Sequence, residues 1–190
     1  MDASVTRRLL LFFAFSCAAG GAVAAAQRPR EPQVRVADLE RRVHDRINKE
    51  RREHKLAPLA EDDQLSRIAR AHSQDMARRQ FFDHVNPEGL DPTARGKRAG
   101  YECRKVRDNV IREGLGENLY QGSLYSRIRI EDGRRSYDWN SPEEIAKESV
   151  EGWMKSPGHR RNILQPEYSL TGLGIAIASD DRVYITQMFC

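Results

Sequence analysis

Three stretches of the chain carry apolar residues at helical spacing, and three carry them in alternation. Val36, Leu39, Val43 and Ile47 form one stripe on an otherwise charged segment and predict a first amphipathic helix. His44 and His54 fall off that stripe and read as solvated positions. After the break at Leu56-Ala-Pro-Leu59, the acids Glu61, Asp62 and Asp63 load a second helix start, favourable to the helix dipole. That helix runs to about Arg79, with Leu65, Ala69, His72 and Met76 on one face. His72, on an apolar face, reads as a hydrogen-bonded core residue. A short helix is expected over 92–99, closed by Gly100, and residues 101–114 give no clear pattern.

Ser141-Pro142-Glu143-Glu144 combines an N-cap serine, proline at the first helical position and an acid at the third. The helix it opens carries Ile145, Ser149 and Trp153 on one face and stops at Ser156-Pro157-Gly158. His159 is then expected just beyond a helix end. Leu173, Ile175 and Ile177 alternate with Gly174, Ala176 and Ala178, and Val183, Ile185, Gln187 and Phe189 repeat the period of two after Asp180-Asp181. The small residues on the second face of the first strand imply that another layer packs closely there. Helices first and an antiparallel hairpin last make an α+β domain.

Between these elements lie the loops. Phe81 and Phe82 are expected to anchor a turn in the core and leave His84 at its edge. Gly114-Leu-Gly-Glu-Asn-Leu-Tyr-Gln-Gly122 reads as a loop entering a short strand or turn, with Glu117 in an apolar setting that demands a partner. Residues 123–140 read as an insertion. Ile128 and Ile130 alternate with Arg127 and Arg129, and Asp132-Gly133 signals a hairpin, either partner-facing or merely solvated.

The amino terminus changes the count. Arg7 and Arg8 precede the apolar run 9–15, and small residues around Ala24 and Ala26 follow, the pattern of a signal peptide over 1–26. The run is too short to span a bilayer stably, so no transmembrane span is expected in the mature chain. Residues 27–35, with Pro29 and Pro32, read as an extended linker, and 36–190 as one domain. The expected location is outside the cytoplasm, periplasmic or secreted. Cleavage removes Cys17 and leaves Cys103 and Cys190, which can form one intramolecular disulfide in an oxidising compartment. The formal charge of +4 on 190 residues is mild and interspersed with acids, which argues against nucleic acid as a partner.

His84, Glu117 and His159 stand at loop or element ends. Two imidazoles and a carboxylate are a ligand set for a divalent cation, Zn²⁺ or Ca²⁺, and Glu117 is also the candidate general base. No His-Glu-x-x-His, paired Cys-x-x-Cys, phosphate-binding glycine loop or Gly-x-Ser-x-Gly occurs, which disfavours conventional zinc proteases and serine hydrolases.

Taken in order, Ala71–Met76, Phe82-Asp-His84, Gly100-Tyr101, Gly116-Glu-Asn-Leu119, Gly152-Trp-Met154, Ser156-Pro-Gly-His-Arg160, Asn162-Ile-Leu164, Gly172-Leu-Gly174 and Thr186–Phe189 resemble a bacterial member of the CAP, or SCP-like, superfamily. That superfamily takes in cysteine-rich secretory proteins, venom allergens and plant pathogenesis-related proteins. The resemblance covers residues 38–190 and implies a three-layer α-β-α sandwich around an antiparallel sheet. It also implies a cleft of two histidines and two glutamates that sometimes holds a divalent cation. His84, Glu117 and His159 match three of the four; the fourth, a glutamate three residues beyond Trp153, is Ser156 here. One scaffold of this kind serves many roles. The expectation is therefore a binding module for a peptide, lipid, glycan or envelope protein, with a metal-assisted, peptidase-like hydrolase as the alternative and enzymatic activity left open.

Overall fold

The structure is a computed structural model describing residues 34–107 and 110–190, with the side chains of 106, 107, 110 and 112 left aside. The leader 1–26 and most of the 27–35 linker lie outside the described residues. The elements in order are α1 (Val36–Glu53), β1 (Ala60–Glu61), α2 (Asp63–Arg79), α3 (Pro92–Arg98), β2 (Arg104–Arg107), β3 (Val110–Glu113), β4 (Gly116–Ser123), β5 (Tyr125–Glu131), β6 (Arg134–Trp139), α4 (Pro142–Lys155), α5 (Pro157–Ile163), β7 (Leu170–Ile177) and β8 (Arg182–Phe189).

One sheet organises them, in the order β1-β7-β8-β4. Its three long strands are antiparallel, with Ile175 opposite Ile185 and Glu117 opposite Met188; the two-residue β1 adds a parallel edge to β7. Helices α1 and α4 cover one face and α2 the other, which is the expected sandwich.

The two faces are packed differently, and the alternation in β7 is the reason. Leu173 and Ile175 join Val183, Ile185, Phe189, Leu39, Val43, Ile47, Ile145 and Trp153 in the larger core. Each such side chain removed from water contributes about 1.5–3 kcal/mol. On the other face, a Cβ on Gly172 or Gly174 would land in the backbone of α2 at Leu65-Ser66 and Ala69-Arg70. The helix backbone therefore rests directly on the strand. Ser73 ties it there, donating to the Gly174 carbonyl at 2.8 Å.

Several open backbone groups on the outer strand β4, and one on β7 beyond the two-residue β1, are met by side chains, which works against pairing with another chain there. On β4, Asn162 donates to the Glu117 carbonyl at 3.0 Å, Trp153 Nε1 to that of Leu119 at 2.8 Å and Asn140 to that of Ser123 at 3.1 Å. On β7, Glu40 accepts the Ile175 N–H at 3.2 Å.

Several expectations stand as drawn. The Ser141–Glu144 capping box forms, with Pro142 in the first turn. The insertion is a β5–β6 hairpin whose turn residues Asp132 and Gly133 have φ of 50° and 74°. Cys103 and Cys190 are bonded, their Cα atoms 5.6 Å apart, tying the last residue to the middle of the chain.

Others need correction. The patternless stretch 101–114 holds the β2–β3 hairpin. His44 is not solvated, because the crossing loop lies over it: its Nε2 is 3.1 Å from the Leu59 carbonyl and its Nδ1 3.2 Å from Glu61. Phe82 is not a core anchor. Gln80 takes a left-handed conformation that directs Phe81 toward Met76, while Phe82 stays 46% exposed with its ring 6.5 Å from that of Tyr184. Pro157 does more than end a helix. Ser156 caps the end of α4 and the start of α5, so His159 lies within α5 rather than beyond a helix. Proline tolerates the first turn because its missing N–H would be unpaired there anyway.

Candidate functional site

The site grows from three local devices. The first is the loop 80–91. His72 Nε2 sits 3.0 Å from the Asp83 carbonyl, Asp83 accepts the Val85 N–H at 2.9 Å, and Asn86 closes the loop on Leu90 through two bonds of 3.1 and 2.9 Å. His84 is thereby held out over the protein, its side chain half exposed. The second is α3, which starts with Asp91 accepting the Ala94 N–H at 2.7 Å and presents Arg95 one turn later. The third is the β4–α5 junction. Asn118, fully buried, donates to the His159 carbonyl at 3.2 Å and accepts from Asn162 at 2.9 Å, fastening α5 against β4.

Glu117 lies where these devices meet, its side chain almost wholly buried. His84 Nδ1 bonds its Oε1 at 2.8 Å, and the Arg95 guanidinium binds its Oε2. Arg95 also donates to the carbonyls of His84 at 2.6 Å and Leu90 at 3.0 Å. A buried carboxylate needs this much compensation, since an unpaired charge in the interior is very costly. The hydrogen bond His84 donates to Glu117 lifts its imidazole above the ordinary value, against the opposing effect of burial. Burial, with a smaller push from the nearby His84, holds His159 below its ordinary value. Burial likewise depresses His72, whose Nδ1 has no hydrogen-bond partner. His72 is a core residue packed edge-on to Phe81 at 5.9 Å.

The structure thus joins His84 to Glu117 and sets His159 within electrostatic reach of His84. Ser156, where the resemblance would place a fourth acid, links two helices through its backbone: its N–H donates to Gly152 and Trp153, and its carbonyl accepts from Arg160. Arg95 was not singled out by the sequence, since nothing distinguishes it there from Lys97 and Arg98.

The donor set does not fit a divalent ion as it stands. Both carboxylate oxygens are engaged, one by a cation, and His84 commits its Nδ1 to the carboxylate. Among the described residues, no group of three or more His, Cys, Asp or Glu is arranged to hold a metal ion.

A sheet sandwiched by helices, with a His84–Glu117 pair where β4 meets the loop after α2 and α5 fastened beside it, defines a recognisable class. The family model of CAP, the cysteine-rich secretory protein family, matches residues 44–189, and the chain belongs to that family. It is 33% identical over 139 residues to the protein YkwD of Bacillus subtilis, across 73% of this chain and 43% of that one. It is 29% identical over 150 residues to the membrane protein YlbC of the same organism, across 79% and 34%. The chain therefore spans less than half the length of these curated relatives. Among solved structures, an outer surface protein of Borrelia burgdorferi shares the fold with a TM-score of 0.59 at 17% identity, covering 82% of this chain and 94% of that one. An extracellular protein containing an SCP domain from Bacillus anthracis does so with a TM-score of 0.55 at 24% identity, covering 81% and 40%. No helix among the described residues is long and apolar enough to cross a membrane.

Proposed function

We propose that this protein is an exported CAP-domain binding module, periplasmic or secreted, whose cleft offers the imidazoles of His84 and His159 to a polar group of a peptide, lipid, glycan or envelope protein. One observation carries the reading: Glu117 has both oxygens committed, to His84 and to Arg95. A general base must be placed to take a proton from its substrate or water. Glu117 is instead held between Arg95 and His84 and orients His84, which counts against the metal-assisted, peptidase-like alternative. Export is supported by the leader pattern of residues 1–26 and by the Cys103–Cys190 disulfide, a bond typical of oxidising compartments.

The test has two arms. The mature chain is incubated with envelope fractions, and retained material is compared with that held by His84→Ala/His159→Ala. It is also profiled against peptide and ester libraries beside Glu117→Gln. Retention lost in the double variant, with no turnover, supports the module. Turnover by the wild type that disappears in Glu117→Gln overturns it.

A further inference from the structure

We propose that Arg95 is a specificity-determining residue, a resident cation that satisfies Glu117 and keeps Zn²⁺ and Ca²⁺ out of the cleft formed with His84 and His159. The proposal rests on the reading of that cleft as the ligand-facing site and says which ligands it refuses.

Three observations support it. Occupancy is the first. The Arg95 guanidinium holds Oε2 of Glu117 while His84 Nδ1 holds Oε1 at 2.8 Å, so an entering ion would meet a carboxylate already paired with a cation and crowded at both oxygens. The second is immobility. The Arg95 side chain is only 9% exposed and bonds two further acceptors, the carbonyls of His84 and Leu90. Its helix cannot easily shift, because α3 is pressed against its neighbours at Gly96, where a Cβ would lie 2.6 Å from Leu115 Cδ1 and 3.2 Å from the Tyr101 carbonyl. Withdrawing Arg95 would thus strip the His84 carbonyl of its donor and leave the buried Glu117 carboxylate with His84 alone.

The third is donor chemistry. With the carboxylate closed off, the cleft offers two imidazole nitrogens. Ca²⁺ takes six to eight oxygen ligands and finds none of these in an imidazole pair. Zn²⁺ sites use three or four protein ligands, and a dication beside a guanidinium in a half-buried cleft meets like-charge repulsion that solvent screens poorly. Arg95 is the member of the cluster whose removal would open Glu117 to Zn²⁺ while keeping all three candidate donors, His84, Glu117 and His159; Ca²⁺ stays refused by donor chemistry alone.

The experiment titrates ZnCl₂ and CaCl₂ calorimetrically into the mature chain, Arg95→Gln, Arg95→Lys and Arg95→Gln/Glu117→Gln, each checked for folding by circular dichroism. Arg95→Gln should bind Zn²⁺ at least about tenfold more tightly than the wild type, the lower end of what groups neighbouring a metal site contribute. Glu117→Gln should erase that gain, and Arg95→Lys, which keeps the charge, should stay at the wild-type level. No gain in Arg95→Gln overturns the proposal, as does a wild type that already binds Zn²⁺ as tightly through Glu117. If Arg95→Gln does not fold, the wild type decides. A Zn²⁺-induced thermal shift that Glu117→Gln abolishes overturns the proposal; no shift, or a shift unchanged by Glu117→Gln, sustains it. Ion titration and ligand retention are separate readouts. Failure here leaves capture by the imidazoles standing, and loss of capture leaves the role of Arg95 standing.

Discussion

Glu40 and Glu117 are buried to nearly the same degree, at 7% and 6% exposure, and each meets an arginine from a different element. Around Glu40 everything else is framework. Arg70 grips it with both arms of its guanidinium at 2.9 and 2.8 Å, and the remaining donor is the Ile175 N–H at the edge of the sheet. Around Glu117 the second donor is an imidazole that reaches into solvent. The first arrangement fastens layers together and carries nothing outward. The second couples a buried charge to a half-exposed imidazole whose titration is lifted above the ordinary histidine value. The difference between a structural and a functional ion pair here lies in that one additional partner, and not in burial or in the pair itself.

Breaking the two pairs should separate them. Arg95→Met leaves the buried Glu117 with His84 alone and should cost about 3–5 kcal/mol in urea unfolding, the range for stripping one partner from a buried pair. Loss of the disulfide in Cys103→Ala/Cys190→Ala comes next, at about 2–4 kcal/mol, with the titration of His84 unchanged because the bond touches neither carboxylate. Arg70→Met should cost about 1–2 kcal/mol, since Arg70 is 43% exposed and Glu40 keeps its backbone donor. Equal losses for Arg70→Met and Arg95→Met would erase the contrast.

Acidity sharpens it further. His84 has a folded value above its unfolded one, so its stabilisation is complete below the ordinary histidine value and fades as pH rises through the raised one. His159 and His72 are depressed, so their share is present above the ordinary value and fades as pH falls through the folded ones. Glu117→Gln should therefore abolish the loss on the alkaline side and leave the acid side in place, read from unfolding curves across pH. The smallest effect is expected from deleting 125–138, which should change stability by less than about 1 kcal/mol, because the β5–β6 strands pair only with each other.

Much of this architecture was legible in the order of residues, and the reasons are local. The stripe Leu39, Val43, Ile47 and the box Ser141–Glu144 speak through spacing alone, and Gly172 and Gly174 announce a close neighbour by having no side chain. Asp132-Gly133 names its turn. What stayed hidden depends on contacts far along the chain. Arg95 is one of three basic residues in a seven-residue helix until Glu117, 22 positions later, selects it. Asn118 and Asn162 belonged to matched motifs, but only the folded chain shows that they bolt α5 to β4. His44 looked solvated because the loop that covers it lies outside its helix. His159 was placed beyond a helix because proline ends one helix and begins the next with the same chemistry.

The most direct measurement is the nuclear magnetic resonance titration of the His84 ring in the wild type and in Glu117→Gln. The imidazole should titrate above the ordinary histidine value in the wild type, with Nδ1–H held in a hydrogen bond, and return toward that value in the variant. A His84 ring that titrates alike in both, with no protected Nδ1–H, would mean that Glu117 does not hold it.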